Sequence, residues 1–361
     1  MQIVSESSFH GTLAERIRRQ FFYSVPAGIV SVGVFAVILY VLIRFVDWAL
    51  LNSVLSADPE ACRQASGACW GFVTEKWRLI LFGRFPYAEQ WRPGLATAIV
   101  IALLVLSAFP AMWHKPNSRY LLWGWGAGFV AFFALMTGGV FGLSHVSTDM
   151  WGGLPLTVIL TLFGMGLSIP IGVVLAVARR SSMPIVSGTA TGYIELVRGV
   201  PLITVLFVST FIFPLLLPSG FRVDAFWRVT VGIVLFQAAY IAETVRGGIQ
   251  TIPAGQFNAG ASLGLTKFQV YSYIILPQAL VAVIPAFINS LLSCFMDTSL
   301  VTVVSMTDLT GALKLALGDA VWRGYFVEGY VFIAVIYFVI SFGISRYSMW
   351  LEGYLGGNKR R

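Results

Sequence analysis

The 361-residue chain is 57% hydrophobic and only 11% charged, whereas about 25% of the residues of a typical soluble domain are charged. Together with a mean hydropathy of +0.81, this composition excludes a soluble protein with a large core and indicates a polytopic membrane protein. The net charge of +8 does not indicate nucleic acid as a partner, because the basic residues stand in short loops and at the termini, as the positive-inside rule predicts.

Eight stretches are long and apolar enough to be membrane-spanning helices, each of which needs about 20 mostly apolar residues. In chain order they begin at Pro26, Gly94, Leu121, Leu154, Gly199, Phe226, Pro277 and Gly329. The sequence therefore predicts an all-α polytopic integral membrane protein with about eight spans.

Lysine and arginine residues favour one side of this arrangement. They lie before the first span, in every second connection and after the last span: Arg16, Arg18, Arg19, Lys115, Arg119, Arg179, Arg180, Lys267, Lys359, Arg360 and Arg361. Because cytoplasmic loops carry the excess of Lys and Arg, we expect both termini in the cytoplasm, together with the loop before the seventh span. The first 20 residues are polar and lack a small-residue cleavage site, so we expect no cleavable signal peptide.

The longest outside segment, residues 47–93, contains two of the three cysteines, Cys62 and Cys69. An oxidising compartment permits a disulfide between them. Two unpaired thiols are the alternative, because the sequence does not fix the separation of the two Cα atoms. The cysteines and histidines show no metal-ligand spacing, so we expect no metal site.

The stretch between the sixth and seventh spans is rich in small residues and in signals for helix ends. Pro253 suits the first turn of a helix, and Gly264 suits its left-handed end. Thr266 and Gln269 have the spacing of a capping box at the start of a second helix. Pro277 disfavours helical geometry before it, so this second helix is expected to end there. The prediction is a rigid helix–turn–helix whose small-residue surface another protein can approach closely.

This loop resembles the cytoplasmic "EAA" loop of bacterial ABC importer permeases, with Ala259, Gly264 and the "LP" at 276–277 in matching positions. Asn258 stands where the family has Glu, and Gly260 stands where it has Ala. The flanking motifs "YIELVRGVPL", "AAYIAETVRGGIQTIPAGQ" and "IPAFINSLLSCFMDTSLV" resemble the polar-amino-acid branch, most of all the M-type permease of general L-amino-acid ABC transporters. The resemblance covers about residues 60–355, and a match of this length is more specific than one short motif.

The resemblance implies a type I ABC importer permease core of the MetI-like kind in residues 150–355. Residues 1–149 are then an N-terminal extension with three transmembrane helices, and residues 252–277 are an ATPase-coupling loop. The coupling residues that it implies are Gly255, Gln256, Asn258, Ala259, Gly260, Leu263, Gly264, Phe268 and Pro277. Because Asn makes weaker, neutral hydrogen bonds where Glu accepts charged ones, we expect the loop of a partner permease to carry more of the coupling.

The resemblance also implies the partners. A periplasmic amino-acid-binding protein delivers L-amino acids, a second homologous permease subunit completes a heterodimer, and a dimeric cytoplasmic ATPase drives alternating access in the bacterial inner membrane. The chain has no Gly-x4-Gly-Lys-Ser/Thr phosphate loop. We therefore expect a non-catalytic subunit without a cofactor of its own, with ATP–Mg bound by the partner ATPase.

Two short motifs place Glu and Arg three residues apart near the cytoplasmic ends of membrane helices: Glu195 with Arg198, and Glu243 with Arg246. At this spacing the two side chains share a helix face and can pair. One interpretation is an interfacial ion pair that orients the helix. The other is a gate, or a site for the carboxylate and ammonium groups of an amino acid.

A further candidate is "DTSLV" after the seventh span, where the backbone is expected to break. Asp297, Thr298 and Ser299 are expected either to cap a following half-helix or to face the translocation path. Asn289 and Pro285 in the same span predict a local kink with a polar wall, with helix packing through the Asn289 amide as the alternative. The family usually has Lys before this Asp, whereas this chain has Met296, which leaves the substrate range open.

Two other classes of function are compatible with the hydropathy. A membrane enzyme is disfavoured, because the chain has neither a Gly-x-Ser-x-Gly nor a His-Glu-x-x-His motif. An ion- or proton-coupled secondary transporter of small polar solutes is the main alternative to an ATP-driven importer. The helix–turn–helix loop is the feature that distinguishes the two.

Overall fold

A computed structural model describes residues 21–218, 220 and 222–357. The cations predicted at the two ends of the chain lie outside the described residues: Arg16, Arg18, Arg19, Lys359, Arg360 and Arg361. The chain forms two compact units, one ending at Thr74 and the other beginning at Glu75.

The described residues are mainly helical. The helices are α1 (Val25–Val46), α2 (Pro59–Gln64), α3 (Gly71–Phe82), α4 (Trp91–Ala108), α5 (Asn117–Thr137), α6 (Gly153–Ala178), α7 (Pro184–Arg198), α8 (Leu202–Phe207), α9 (Ala225–Gln250), α10 (Ala254–Ser262), α11 (Lys267–Gln269), α12 (Leu276–Asp297), α13 (Leu309–Ala316) and α14 (Phe326–Gly357). A two-residue strand, β1 (Thr307–Asp308), precedes α13.

Seven helical runs among the described residues are long and apolar enough to cross a membrane: Val25–Leu51, Tyr87–Ala108, Asn117–Thr137, Gly153–Ala178, Ala225–Gln250, Lys267–Val304 and Phe326–Leu355. They correspond to seven of the eight predicted spans. The predicted all-α polytopic membrane architecture is therefore confirmed.

The fifth predicted span, from Gly199, corresponds to the helical piece Leu202–Leu216, which is not among the seven runs that are long enough to cross a membrane alone. Pro184–Arg198 and Leu202–Leu216 are two helical pieces that meet at 107°, so an eighth crossing exists only as a bent pair. The break falls at Pro201, which precedes α8 with extended backbone geometry. Proline has no backbone N–H and disfavours helical geometry in the residue before it, which explains why the helix cannot continue through this point.

In the first unit, α1 is apolar apart from Ser31 and Arg44, and none of its residues is buried. After it, Cys62 on α2 forms a disulfide with Cys69, with the two Cα atoms 5.3 Å apart. Val54 also bridges to Cys69 in parallel orientation. Of the two alternatives for these cysteines, the structure has the bonded one.

The core of the second unit is centred on α6 and α9, which pack against each other, with α12 packed on both. Aromatic rings close one end of this core. The buried Trp151 lies 5.3 Å from Phe226, measured between ring centroids, and Phe133 of α5 stacks on Trp227 at 6.1 Å. The third predicted span, which the resemblance assigns to the extension, therefore packs within the same unit as the core.

The short helix α13 begins at a buried carboxylate, Asp308, which was not predicted from the sequence as a cap. Asp308 is fully buried and accepts hydrogen bonds from the backbone N–H groups of Thr310 at 3.1 Å and Gly311 at 2.9 Å. Oδ1 of Asp308, which accepts from Gly311, also accepts from the hydroxyl of Thr302 at 2.5 Å. Burial raises the pKa of the Asp308 carboxyl, and the hydrogen bonds that it accepts oppose this shift.

The predicted capping role of Asp297, Thr298 and Ser299 is wrong. Asp297 precedes the 3-10 segment Thr298–Val304 without a side-chain capping bond. The chain continues as a tighter helix there, so no new set of free N–H groups needs a cap. The first helix that needs one is α13, and Asp308 caps it.

Asp308→Ala is expected to destabilise the protein by about 2–3 kcal/mol, because it removes a helix cap and leaves buried donors without an acceptor. The Tm of the purified protein should fall by about 5 °C. Asp319→Ala is the matched control, because Asp319 pairs with Lys76 at 2.8 Å on a partly exposed surface. Such a pair contributes little, so the Tm should not change. Equal changes in the two variants would contradict the assigned role of Asp308.

Candidate functional site

The loop after α9 folds as a helical hairpin, which we define as residues 253–275. Its first helix, α10, ends before Gly264, which has a φ of +77°. The predicted capping box is confirmed at the start of the second helix. The N–H of Gln269 donates to the hydroxyl of Thr266 at 3.3 Å, and the N–H of Thr266 donates to the side chain of Gln269 at 2.9 Å.

The second hairpin helix does not end before Pro277, so that prediction is wrong. It continues through the π-type segment Val270–Ile275 into α12, and the helical run extends from Lys267 to Val304. Pro277 stands in the first turn of α12. The wider π turn before it changes the hydrogen-bond pairing and so accommodates a residue without an N–H. The hairpin is therefore joined to the seventh span without a flexible linker.

Gly260 lies at the centre of the hairpin and is buried. A Cβ atom at this position would lie 2.8 Å from Cγ2 of Val270 and 3.2 Å from Cδ1 of Ile274, closer than packed carbon atoms approach. Phe257 and Tyr271 pack beside it, with ring centroids 5.8 Å apart. Gly260 therefore packs between the two hairpin helices and is not part of the outer face that the small-residue pattern predicted.

Two large apolar side chains form the outer tip of the hairpin. Leu263 and Phe268 lie on either side of the turn, and each is 77% exposed. The other small or polar positions that the resemblance implied are exposed as well: Gly255, Gln256, Asn258, Ala259, Gly264 and Pro277. An exposed apolar tip on a rigid element is typical of a surface that binds another protein.

The predicted pairing of Glu195 with Arg198 is wrong. In the described part of the chain, Glu195 pairs with Arg179 at 2.7 Å, and Arg198 pairs with Glu243 at 3.6 Å. The predicted pairing of Glu243 with Arg246 is confirmed, with Nε of Arg246 2.9 Å from the carboxylate. Arg179 also lies 3.4 Å from Glu243, so three guanidinium groups share this carboxylate. We call these five residues the Glu243 network.

The Glu243 network joins the ends of α6, α7 and α9 on the same side of the protein as the hairpin, because α9 leads directly into α10. Its side chains are partly exposed, so each pair contributes only about 0–1 kcal/mol of stability. The network's main effect is to fix the relative positions of three helix ends, among them the end of α7 next to the 107° bend.

A pocket of about 630 Å³ opens beside this network, within the size range of about 300–1,000 Å³ typical of small-molecule sites. Its polar and charged lining residues are Arg198, Gln237, Tyr240, Asn289, Ser290, Ser293 and Asp297. The guanidinium carbon of Arg198 lies 5.7 Å from the ring centre of Tyr240. The pocket therefore contains one cation and one carboxylate among neutral hydrogen-bonding groups.

Of the predicted path residues, Arg198, Asn289 and Asp297 line this pocket. Asn289 also accepts a hydrogen bond from Ser348 at 3.4 Å, so it both packs against α14 and faces the pocket. Thr298 is fully buried and donates to the carbonyl of Phe295 at 2.7 Å, so it does not face the pocket.

The remaining predicted path residues lie elsewhere. Ser299 is not among the pocket-lining residues. Glu195, Glu243 and Arg246 belong to the Glu243 network and not to the pocket wall.

The pocket also contains four residues that were not predicted from the sequence: Gln237, Tyr240, Ser290 and Ser293. A helical pattern could have indicated one of them, because Asn289, Ser293 and Asp297 follow one another at intervals of four residues. Side chains at this spacing lie on one face of a helix. A polar stripe on an otherwise apolar span indicates a wall that faces water or a substrate.

Comparison with known proteins shows the family to which this chain belongs. The family described as "Binding-protein-dependent transport system inner membrane component" matches residues 168–352. The inner membrane amino-acid ABC transporter permease protein YhdY of Escherichia coli K12 is 38% identical over 338 residues, which are 93% of this chain and 91% of that protein. The glutamate/glutamine/aspartate/asparagine transport system permease protein BztC of Rhodobacter capsulatus is 35% identical over 80% of this chain and 79% of its own length.

Among solved structures, the crystal structure of an amino acid ABC transporter with histidines is similar, with a TM-score of 0.51 and 29% sequence identity. The similarity covers 56% of this chain and 92% of that chain. The chain therefore belongs to the family of inner membrane components of binding-protein-dependent transport systems, and its nearly full-length relatives include amino-acid ABC transporter permeases.

Proposed function

We propose that this chain is a transmembrane permease subunit of an ATP-driven importer that moves L-amino acids inward by alternating access. One observation carries this proposal: the hairpin and the pocket share a helical run. Phe268 at the hairpin tip and Asn289 and Asp297 in the pocket wall all lie between Lys267 and Val304. A force applied to the hairpin therefore reaches the pocket through continuous helix.

The pocket chemistry supports a zwitterionic substrate. The Arg198 guanidinium is planar and can bind a carboxylate through two hydrogen bonds. Asp297 supplies the opposite charge for an ammonium group, and the neutral side chains of Gln237, Ser290 and Ser293 supply hydrogen bonds for a polar side chain. The amino acids in the names of the relatives agree with this assignment.

The exposed surfaces support the proposed energy source and partners. The apolar hairpin tip is the surface on which a separate ATPase, with its own ATP–Mg, would bind. Arg198 is partly exposed at the pocket, and a second, homologous permease subunit would cover this side. The side opposite the hairpin would receive substrate from a periplasmic binding protein. With the orientation predicted from Lys and Arg, the hairpin and both termini lie in the cytoplasm.

Phe268→Asp is expected to reduce the amount of ATPase that co-purifies with the permease by about fivefold, because one exposed apolar anchor is lost from the interface. Phe141→Asp is the matched control. Phe141 is 95% exposed and lies after α5, on the side opposite the hairpin. The measurement is quantitative co-purification from membranes with equal permease abundance.

Equal recovery of the ATPase with both variants would contradict the docking role of the hairpin. Uptake that continues after ATP depletion, but stops when a protonophore is added, would contradict the ATP-driven importer and support an ion-coupled transporter.

A further inference from the structure

A second concave surface lies away from the polar pocket, among the membrane-spanning helices. It is a groove of about 560 Å³ lined by side chains of α4, α6, α12 and α14. Its only polar lining side chains are Ser107, Thr161 and Tyr347. The hydroxyls of the first two already donate to backbone carbonyls of their own helices, at 2.7 and 2.8 Å. Apart from the hydroxyl of Tyr347, the groove wall is therefore apolar, and its other hydroxyl groups are bonded within their own helices.

The groove runs along the helices towards the hairpin side. Its lining extends from Ile101 to Ala108 on α4 and from Val339 to Tyr347 on α14, which is about 10–12 Å at 1.5 Å per residue. This length matches most of the hydrocarbon of one leaflet, which is about 15 Å thick. A single extended acyl chain fits along a groove of this length.

An aromatic cluster stands at the hairpin-side end of the groove. Trp113, in the connection after α4, lies 6.4 Å from Trp350 and 5.8 Å from Tyr354 of α14, measured between ring centroids. Trp113 donates to the carbonyl of Ser107 at 2.9 Å, and Trp350 packs on Tyr347 at 5.7 Å. Trp and Tyr prefer the level of the lipid headgroups. The cluster therefore marks the point where the groove meets the membrane–water interface.

Cations accompany this aromatic cluster. Lys115 follows Trp113 by two residues, Arg119 lies in the first turn of α5, and Arg346 is next to the groove residue Tyr347. All three are exposed, and none forms an ion pair with the described part of the chain. Basic residues beside a groove between transmembrane helices favour anionic lipid headgroups.

We propose that this groove binds one acyl chain of an anionic phospholipid of the inner leaflet, whose headgroup lies among Lys115, Arg119 and Arg346. The bound lipid joins α4 of the N-terminal extension to α12 and α14 of the core. This site is separate from the polar pocket and independent of the proposed substrate.

The test uses the assembled transporter in nanodiscs of equal parts phosphatidylethanolamine and phosphatidylglycerol. The probe is phosphatidylglycerol with a photoactivatable diazirine in its acyl chain, and labelled peptides are identified by mass spectrometry. Peptides that contain the groove residues should be labelled more strongly than the exposed face of α5, which contains Leu122 and Val130. Equal labelling of the two surfaces would overturn the proposal, because it would show bulk lipid contact only.

Two glycine substitutions on α14 test whether the labelling depends on free space in the groove. Gly343 lines the groove, and a Cβ at this position would meet nothing within 4 Å. Gly343→Leu should therefore reduce groove labelling by about tenfold, because leucine occupies the space of several methylene groups. Gly353→Leu is the matched control, because a Cβ there also meets nothing within 4 Å and Gly353 does not line the groove. Unchanged labelling in Gly343→Leu would overturn the proposal.

A measurement on the unaltered transporter keeps the proposal testable if Gly343→Leu does not assemble. After removal of lipid with detergent, phosphatidylglycerol or phosphatidylcholine is added back, and retained lipid is counted by native mass spectrometry. We expect retention of phosphatidylglycerol in preference to phosphatidylcholine. Equal retention of the two would overturn the proposed role of the three cations, and cross-linking of Gly343→Cys to a partner subunit would overturn the lipid as the occupant.

Discussion

Arg198→Gln is expected to raise the KM for L-amino-acid uptake by about 100-fold, because a charged, two-bond contact with the substrate carboxylate is lost. Arg198 is the one member of the Glu243 network that also lines the polar pocket. The KM of Arg198→Lys should lie between those of the wild type and Arg198→Gln, because lysine keeps the positive charge but lacks the planar guanidinium group. The measurement is uptake of a radiolabelled amino acid over a range of concentrations, with membrane abundance of the permease determined in parallel.

Arg246→Gln provides the control for this prediction. Arg246 also pairs with Glu243, but it does not line the pocket. Because a partly exposed ion pair contributes about 0–1 kcal/mol, the KM of this variant should stay within about fivefold of the wild type. A similar rise in KM for both variants would assign the effect to the Glu243 network and contradict a direct contact between Arg198 and the substrate.

Gly260→Leu is expected to reduce the maximal rate of uptake by about 50-fold while ATP hydrolysis by the assembled transporter continues. The added side chain would overlap Val270 and Ile274, at distances of 2.8 and 3.2 Å from the Cβ atom alone, and overpacking of this kind costs about 1–3 kcal/mol. The two hairpin helices must then separate, so movement of the ATPase no longer reaches α12. The measurement compares uptake with ATP hydrolysis in the same proteoliposomes.

Gly188→Leu is the control for the hairpin variant, because Gly188 is a helical glycine of α7 at which a Cβ meets nothing within 4 Å. It should transport at close to the wild-type rate. Wild-type uptake by Gly260→Leu would show that tight packing of the hairpin is not needed for transport. An equal loss of uptake and ATP hydrolysis in this variant would indicate failed assembly and contradict a specific loss of coupling.

The features that were predictable from the sequence are those that depend on neighbouring residues. Seven spans follow from hydropathy alone, because a bilayer imposes a minimum apolar length. The capping box of Thr266 and Gln269 depends on two side chains three residues apart, and it forms as the pattern predicts. Pro277 is the exception among local signals. Its helix-ending effect was offset by a π-type segment, which the sequence pattern does not reveal.

The features that were not predictable depend on residues distant in the sequence. Glu195 has Arg198 at favourable spacing, yet it pairs with Arg179 from α6. Which arginine pairs with Glu195 depends on how α6 and α7 pack against each other. The spacing of residues along the chain does not reveal this packing. Asp308 was missed for the same reason. Its burial arises from tertiary packing, in which it bridges to Gly153 at the start of α6, whereas its bond to Thr302 and its place before α13 are local.

The helical run from Lys267 to Val304, which has Pro285 inside it, gives the protein a lever. Its 38 residues extend over roughly 57 Å at 1.5 Å per residue, well beyond the hydrocarbon thickness of about 30 Å. If this rod pivots near its middle by about 10°, each end swings by roughly 5 Å, and the two ends swing in opposite directions. One rigid tilt would thus narrow the passage at one membrane surface while widening it at the other.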